Sequence, residues 1–288
     1  MIEDMTKNFT LGGDLTIRRL GFGAMRLPFG TFRGPARDPR TGIAVLRRAV
    51  ELGVNHIDTA AFYERSGVRS NELIREALTP YPEDLVIATK VGPMAADDGG
   101  MLSREAAPDE LRGLVEGNLT DLGLDRLDLV YLRVGGMGPV GGFSIGDRFA
   151  ALAELRDEGL IRHLGVSNVD TAQLAEARAI APVVSVQNRF GVHEQGDRAL
   201  LAECEAAGIA FVPFFSLGGG GAVEADETAL RRVAARHGVT THQLALAWSL
   251  AISPAVLAIP GTGSVEHLEQ NMRAADIELT SEDLADLA

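Results

Sequence analysis

Eight times along the chain, a short run apolar on both faces is followed by a segment with helical apolar spacing. The runs are LGFGAM, NHIDTA, LVIATK, LDLVYLR, RHLGVSN, PVVSVQN, IAFVPFF and AVLAIPG. Strands that do not alternate apolar with polar are buried on both faces, as in a parallel sheet flanked by helices. The intervening segments carry their own start and stop signals. Asp38-Pro39 supplies an N-cap and first-turn proline, Ile43, Leu46 and Val50 mark one face, and Gly53 ends the helix. Ser70 is a candidate cap for the next helix, with Leu73, Ile74 and Ala77 inward; Gly123 and Gly159 close two more. The stretch FTLGGDLTIRRL ahead of the first unit predicts a hairpin turning at Gly12-Gly13. Two helices, near 226–237 and 241–252, precede the eighth strand. The economical solution is a (β/α)₈ TIM barrel with an N-terminal hairpin and extra helices. No Pro/Gly/Ser linker divides the chain, so 1–288 reads as one domain.

Composition narrows the function. With 46% hydrophobic residues the 288-residue chain has ample material for a core. A net charge of −13 repels nucleic acid and anionic lipid. The apolar stretch LALAWSLAISPAVLAIPG is interrupted by Pro254, which argues against a membrane span. MIEDMTKNFT has no apolar core of a signal peptide, and the single cysteine, Cys204, excludes an internal disulfide. The expected location is the cytoplasm. The six histidines form no cluster at metal-ligand spacing, and His193-Glu194 lacks a second histidine, so no metal is expected. GFGAMR lacks the third glycine of a dinucleotide fingerprint, and GVSNV lacks the last glycine of a nucleophile elbow.

Barrel chemistry sits where strands end at their C-terminal side. Asp58, Lys90, Arg133, Ser167-Asn168, Gln187 and the glycines after Phe215 occupy those positions. Each alone has an ordinary explanation: a turn-forming aspartate, a solvated lysine, a salt-bridged arginine. Their joint placement on one face points to a site for a small molecule.

The segments HIDTAAFY, ATKVG, LGVSN, VQN and IPGTGSVEHLEQN, in this order over nearly the whole chain, resemble the signature segments of the aldo-keto reductases. That resemblance implies a catalytic group of Asp58, Tyr63 and Lys90, with a fourth member, usually histidine, at the position of Arg133. Hydride reduction of a carbonyl builds negative charge on oxygen, and tyrosine beside a cation is a usable acid. Lys90 is that cation and Asp58 its anchor. Arg133 is expected to orient the carbonyl and to lower the Tyr63 pKa further. By the same resemblance Ser167, Asn168 and Gln187 hold a nicotinamide carboxamide, and Phe214 stacks on the ring. Leu217 and Gly218 meet the pyrophosphate, Thr262 and Ser264 a phosphate at a helix N-terminus, and His267, Gln270 and Asn271 the adenosine end. Relatives that use NADPH commonly carry lysine and arginine where this chain has Gly261 and His267. NADPH is the expected cofactor, with NADH the alternative.

VNHIDTAAFY, the arginine-ended LDLVYLR, VPFFSLGG and IPGT are similar to the bacterial pyridoxal reductase subgroup. The expected reaction is carbonyl reduction, pyridoxal to pyridoxine first among substrates. The alternatives are another aldehyde or ketone, or a cofactor-binding member with little turnover. Oligomeric state is unreadable from the sequence.

Overall fold

The computed structural model describes residues 7–30, 34–95, 102–135, 141–214 and 227–287. The chain opens with an antiparallel hairpin, β1 (Asn8–Leu11) and β2 (Leu15–Arg18). A short β3 (Phe22–Gly23) leads through a turn to α1 (Pro39–Glu51) and β4 (His56–Asp58). A small hairpin, β5 (Glu64–Arg65) and β6 (Val68–Arg69), precedes α2 (Ser70–Leu78) and β7 (Val86–Val91). The ribbon β8 (Pro93–Ala95) with β9 (Leu102–Glu105) then leads to α3 (Leu111–Leu122) and β10 (Leu127–Arg133). The second half runs α4 (Gly146–Asp157), β11 (Ile161–Ser167), α5 (Thr171–Ile180), β12 (Val183–Arg189), α6 (Arg198–Ala206) and β13 (Ala210–Phe214). Helices α7 (Thr228–His237), α8 (Thr241–Ala251), α9 (Val265–Met272) and α10 (Ser281–Asp286) follow.

Seven strands form one parallel sheet in the order β13-β12-β11-β10-β7-β4-β3. Its two edges meet through residues 255–260. The Phe211 amide donates to the Ala255 carbonyl at 2.8 Å, and the Leu257 amide to the Phe211 carbonyl at 2.9 Å. On the other side the Ala258 amide donates to Arg19 and the Gly21 amide to Ala258, both at 2.8 Å. The expected last strand therefore closes the barrel, through isolated parallel bridges rather than a regular ladder. Closure removes the exposed sheet edges.

Two layers of apolar packing result. Leu11, Ile17, Val86, Ala88, Leu129, Tyr131, Ala210, Val212 and Leu257 fill the inside. Leu11 and Ile17 come from the hairpin and are fully buried there, which explains why the chain spends a hairpin before its first unit. A larger cluster lies between strands and helices, drawing on residues from Phe22 to Leu287.

Three local expectations change. The first strand is shorter than LGFGAM, because Ala24–Arg26 turns as a 3₁₀ segment. Arg69, not Ser70, is the residue ahead of α2; the Ser70 hydroxyl instead donates to the Ala24 carbonyl at 3.0 Å, tying α2 to that turn. The segment following β7 also carries the ribbon β8–β9. Asp38 does cap α1, accepting the Arg40 amide at 2.9 Å, and Gly123 ends α3 in the left-handed region.

Candidate active site

Parallel register sets the frame. Arg133 pairs with Ser167, Ser167 with Gln187, and Tyr131 with Lys90. Arg133, Ser167 and Gln187 thus sit in one row at the C-terminal rim, with Asp58 and Lys90 on the adjoining strands. Tyr63 arrives from the loop after β4: its amide closes a turn on the Ala60 carbonyl, and its carbonyl accepts the Ser70 amide, both at 3.0 Å.

The Lys90 ammonium donates to Asp58 Oδ1 at 2.6 Å and to the Thr59 carbonyl at 2.9 Å. Gln187 Nε2 donates to Asp58 Oδ2 at 2.7 Å, so both carboxylate oxygens are engaged. Asp58 and Lys90 are 2% and 4% exposed, where an ion pair without such hydrogen bonds would not repay its desolvation. Burial alone would lower the Lys90 pKa; Asp58 and Tyr63 outweigh it and hold the ammonium charged. Lys90 Nζ lies 4.9 Å from the centre of the Tyr63 ring. Burial pushes the Tyr63 phenol upward, against the opposing pull of Lys90 and Arg133. The expectation that the cations make Tyr63 more acidic than usual is thereby reversed in sign. The phenol stays protonated at neutral pH, which is the form a proton donor needs.

Arg133 is 9% exposed. Its Nη1 donates to Ser167 Oγ at 3.2 Å, and its guanidinium carbon lies 4.8 Å from the Phe214 ring centre. Asn168 takes a positive φ of 61°, and its side-chain amide donates to the Val134 carbonyl at 2.8 Å. Ser167, Asn168, Gln187 and Phe214 are therefore brought together, and they also engage the catalytic candidates and each other's strands. Leu217 and Gly218 lie outside the described residues.

Of the remaining expected residues, Thr262 and Ser264 precede α9, His267 lies in its first turn, and Gln270 and Asn271 lie in its last. Ser264 caps the helix, accepting the His267 amide at 3.3 Å, and Thr262 Oγ1 accepts the Ser264 amide at 3.1 Å. Each hydroxyl keeps its own proton to donate. Thr262 and Asn271 are buried, and His267 is exposed.

Behind the first group lies a buried relay that motif reading missed. Thr59 Oγ1 donates to Asn71 at 2.8 Å, and Asn71 Nδ2 donates to Asn118 Oδ1 at 3.0 Å. Thr89 Oγ1 donates to the same oxygen at 2.6 Å. This chain fixes Thr59, whose carbonyl holds Lys90. A signal existed: Asn118 stands at a core position of the spacing Leu111, Val115, Asn118, Leu122. Glu105 was missed too. It accepts the Gly135 amide at 2.5 Å and pairs with Arg148, fastening the strand exit next to Arg133. Arg37 is a third omission, lying against Gly263.

The sequence profile of the aldo/keto reductase family matches residues 19–288. The chain belongs to the aldo/keto reductase family. It is 46% identical to pyridoxine 4-dehydrogenase of Escherichia coli (strain K12), over 98% of this chain and 97% of that protein. Among solved structures, a thermostable aldo-keto reductase crystallised with the inhibitor epalrestat superposes with a TM-score of 0.81 at 31% identity, covering 97% of this chain and 98% of that one. An aldo/keto reductase from Klebsiella pneumoniae in complex with NADP and acetate gives 0.77 at 27% identity, covering 98% and 94%. These aldo/keto reductase neighbours confirm the (β/α)₈ barrel. No helix among the described residues is long and apolar enough to cross a membrane, and those residues hold no group of three metal-ligating side chains.

Proposed function

We propose that the protein reduces a small-molecule carbonyl to an alcohol with NADPH, that Tyr63 is the proton donor, and that pyridoxal is its foremost substrate. The supporting observation is the continuous polar chain Gln187–Asp58–Lys90 ending against Tyr63. Its remote end is buried, with both Asp58 oxygens hydrogen-bonded; its near end is a phenol at the barrel mouth. Such a chain holds one charge and one proton in fixed positions, so little reorganisation is needed when negative charge develops on the substrate oxygen. Arg133 adds a second fixed cation at the same rim.

When bound, the reduced nicotinamide supplies the hydride, which adds to the carbonyl carbon. Tyr63 gives its proton to the oxygen, and the Lys90 ammonium stabilises the phenolate left behind. In this reading Ser167, Asn168, Gln187 and Phe214 would orient the nicotinamide. The α9 end fits the opposite part of a dinucleotide on its own structure. Cβ atoms at Gly261 and Gly263 would meet Gly23 O at 2.5 Å and Arg37 Nε at 2.2 Å, so these glycines let the turn pack closely on β3 and on Arg37. The 46% identical relative is named for pyridoxine, and the NADP complex comes from a 27% identical neighbour. Both support the substrate and cofactor proposed. A cytoplasmic location and a single functional domain over 1–288 belong to the same reading, with no nucleic-acid or membrane partner.

The test is an aldehyde and ketone panel, including pyridoxal, assayed with NADPH and NADH on the protein and on Tyr63→Phe. Steady NADPH oxidation with pyridoxal is expected. Tyr63→Phe should lose at least about 10²-fold in turnover, the lower end of general acid catalysis, while NADP⁺ affinity by calorimetry stays nearly unchanged. Cofactor binding without turnover on any carbonyl would replace this reading with that of a binding protein.

A further inference from the structure

The residues that stand at the usual lysine and arginine positions of the adenosine end, Gly261 and His267, bring no fixed positive charge. Arg37 brings one from elsewhere in the fold. It sits just before the capped start of α1 and crosses to the 261–264 turn. There its Nη1 donates to the Gly263 carbonyl at 3.4 Å, and its Nη2 donates to the Phe29 carbonyl at 3.3 Å. Both bonds are long. Its Nε is buried and has no hydrogen-bond partner among the described residues. An orphaned buried guanidinium N–H is costly, and such groups are normally satisfied. Gly263 permits the arrangement, since any Cβ there would collide with Nε. The guanidinium therefore lies against Gly263, the residue between Thr262 and the Ser264 cap at the N-terminus of the eight-residue α9. Neighbouring charges are largely offset: Asp38 pairs with Arg40, and Glu269 with Arg48. Exposed Glu266 in the first turn of α9 works against an anion, which makes a fixed cation more necessary there.

Building on the NADPH reading above, we infer that Arg37 is the cofactor-specificity residue: it supplies the positive charge that selects a 2′-phosphorylated adenosine ribose at the start of α9. An arginine presents several N–H donors to a phosphate in a fixed fork, and the helix N-terminus adds backbone donors and partial charge.

Two nucleotide fragments test this without any turnover: 2′,5′-ADP, which carries the 2′-phosphate, and 5′-AMP, which does not. Calorimetric titration of the wild-type protein should show tighter binding of 2′,5′-ADP. Arg37→Leu should weaken 2′,5′-ADP by about 10- to 100-fold, the worth of one charge-assisted hydrogen bond, and 5′-AMP by less than about 3-fold. Arg37→Lys should recover part of the loss, because charge remains while the fork is lost. NADP⁺ and NAD⁺ should follow the same split. Equal weakening of both fragments, or a lowered melting temperature with unchanged discrimination, would make Arg37 a brace between loops and overturn the inference. Wild-type binding of 5′-AMP as tight as that of 2′,5′-ADP would overturn it while leaving a nucleotide-binding reductase intact. Failure of the wild type to bind any of these nucleotides would remove the cofactor reading itself.

Discussion

Arg133 shows how one residue acquires a role from its neighbours. At the end of LDLVYLR it is a charge where an apolar strand leaves the core. In the barrel it is held between the Ser167 hydroxyl and the face of Phe214, at the rim shared with Lys90 and Tyr63. Burial lowers its pKa, yet a guanidinium starts so high that it stays charged. Its position suits stabilisation of charge that appears only as the carbonyl is reduced, and such interactions act on turnover more than on binding. Arg133→Leu should cut kcat by about 10²-fold, the lower end for loss of an oxyanion donor, with NADP⁺ affinity changed much less. Arg133→His, which restores the donor common in the family, should retain more activity than leucine. Turnover, affinity and melting temperature measured for both variants separate the cases. Full activity in the leucine variant, or identical losses of stability and rate in both, would reduce Arg133 to a packing residue.

At the scale of elements, the row of functional groups depends on how β10, β11 and β12 are spaced. Tyr131 points into the barrel and its hydroxyl shares a 2.7 Å hydrogen bond with Ser185 across β11. Gly165 lies between them. A Cβ at Gly165 would stand 2.6 Å from the Tyr131 ring and 2.8 Å from the Ser185 carbonyl. Gly165→Ala therefore overpacks the interior two residues before Ser167, with an expected cost of about 1–3 kcal/mol. Chemical denaturation should show that loss. Tyr131→Leu combined with Gly165→Ala should cost less than the sum of the two single changes, since the ring conflict disappears while the backbone conflict remains. Strict additivity in this cycle would mean the two residues do not meet. The helices are set by more local rules: Asp170 and Thr240 cap α5 and α8 with reciprocal Gln173 and Gln243 contacts, a pattern carried entirely by nearby sequence.

Over the whole molecule, stability should depend on pH through a residue outside the proposed chemistry. His56 is 1% exposed within β4, two residues before Asp58, and neither ring nitrogen has a partner among the described residues. Burial pulls its pKa down to about 4. The unfolded chain takes up that proton near 6.5 and the folded chain resists it, so stability is full above 6.5 and falls as pH drops toward 4. The loss is on the order of 3 kcal/mol, because each pH unit between the unfolded and folded values contributes about 1.4 kcal/mol. Denaturant titrations at pH 7 and pH 4.5 should show a smaller difference for His56→Leu than for the wild type. Parallel behaviour of the two proteins would mean that His56 titrates normally in the fold.

The repeat of buried strands and amphipathic helices was legible because each strand's burial on both faces and each helix's period are written in contiguous residues. The barrel class, most helix ends and the line of Asp58, Lys90, Arg133 and Gln187 at the strand ends follow from that alone. Tyr63 entered through a family resemblance, because nothing local separates it from any loop aromatic. What the neighbouring residues could not reveal were contacts between segments far apart in the chain. Gln187 holds Asp58 from 129 positions away, Glu105 holds Gly135, and Arg37 lies on Gly263. The direction in which the Tyr63 pKa moves was of the same kind: burial, which opposes the charged form, exceeds the pull of two cations, and burial exists only once the barrel has closed. Local pattern determines which elements form and which way they face. Distances, desolvation and pairing across the barrel depend on where those elements meet, and only the tertiary structure decides that.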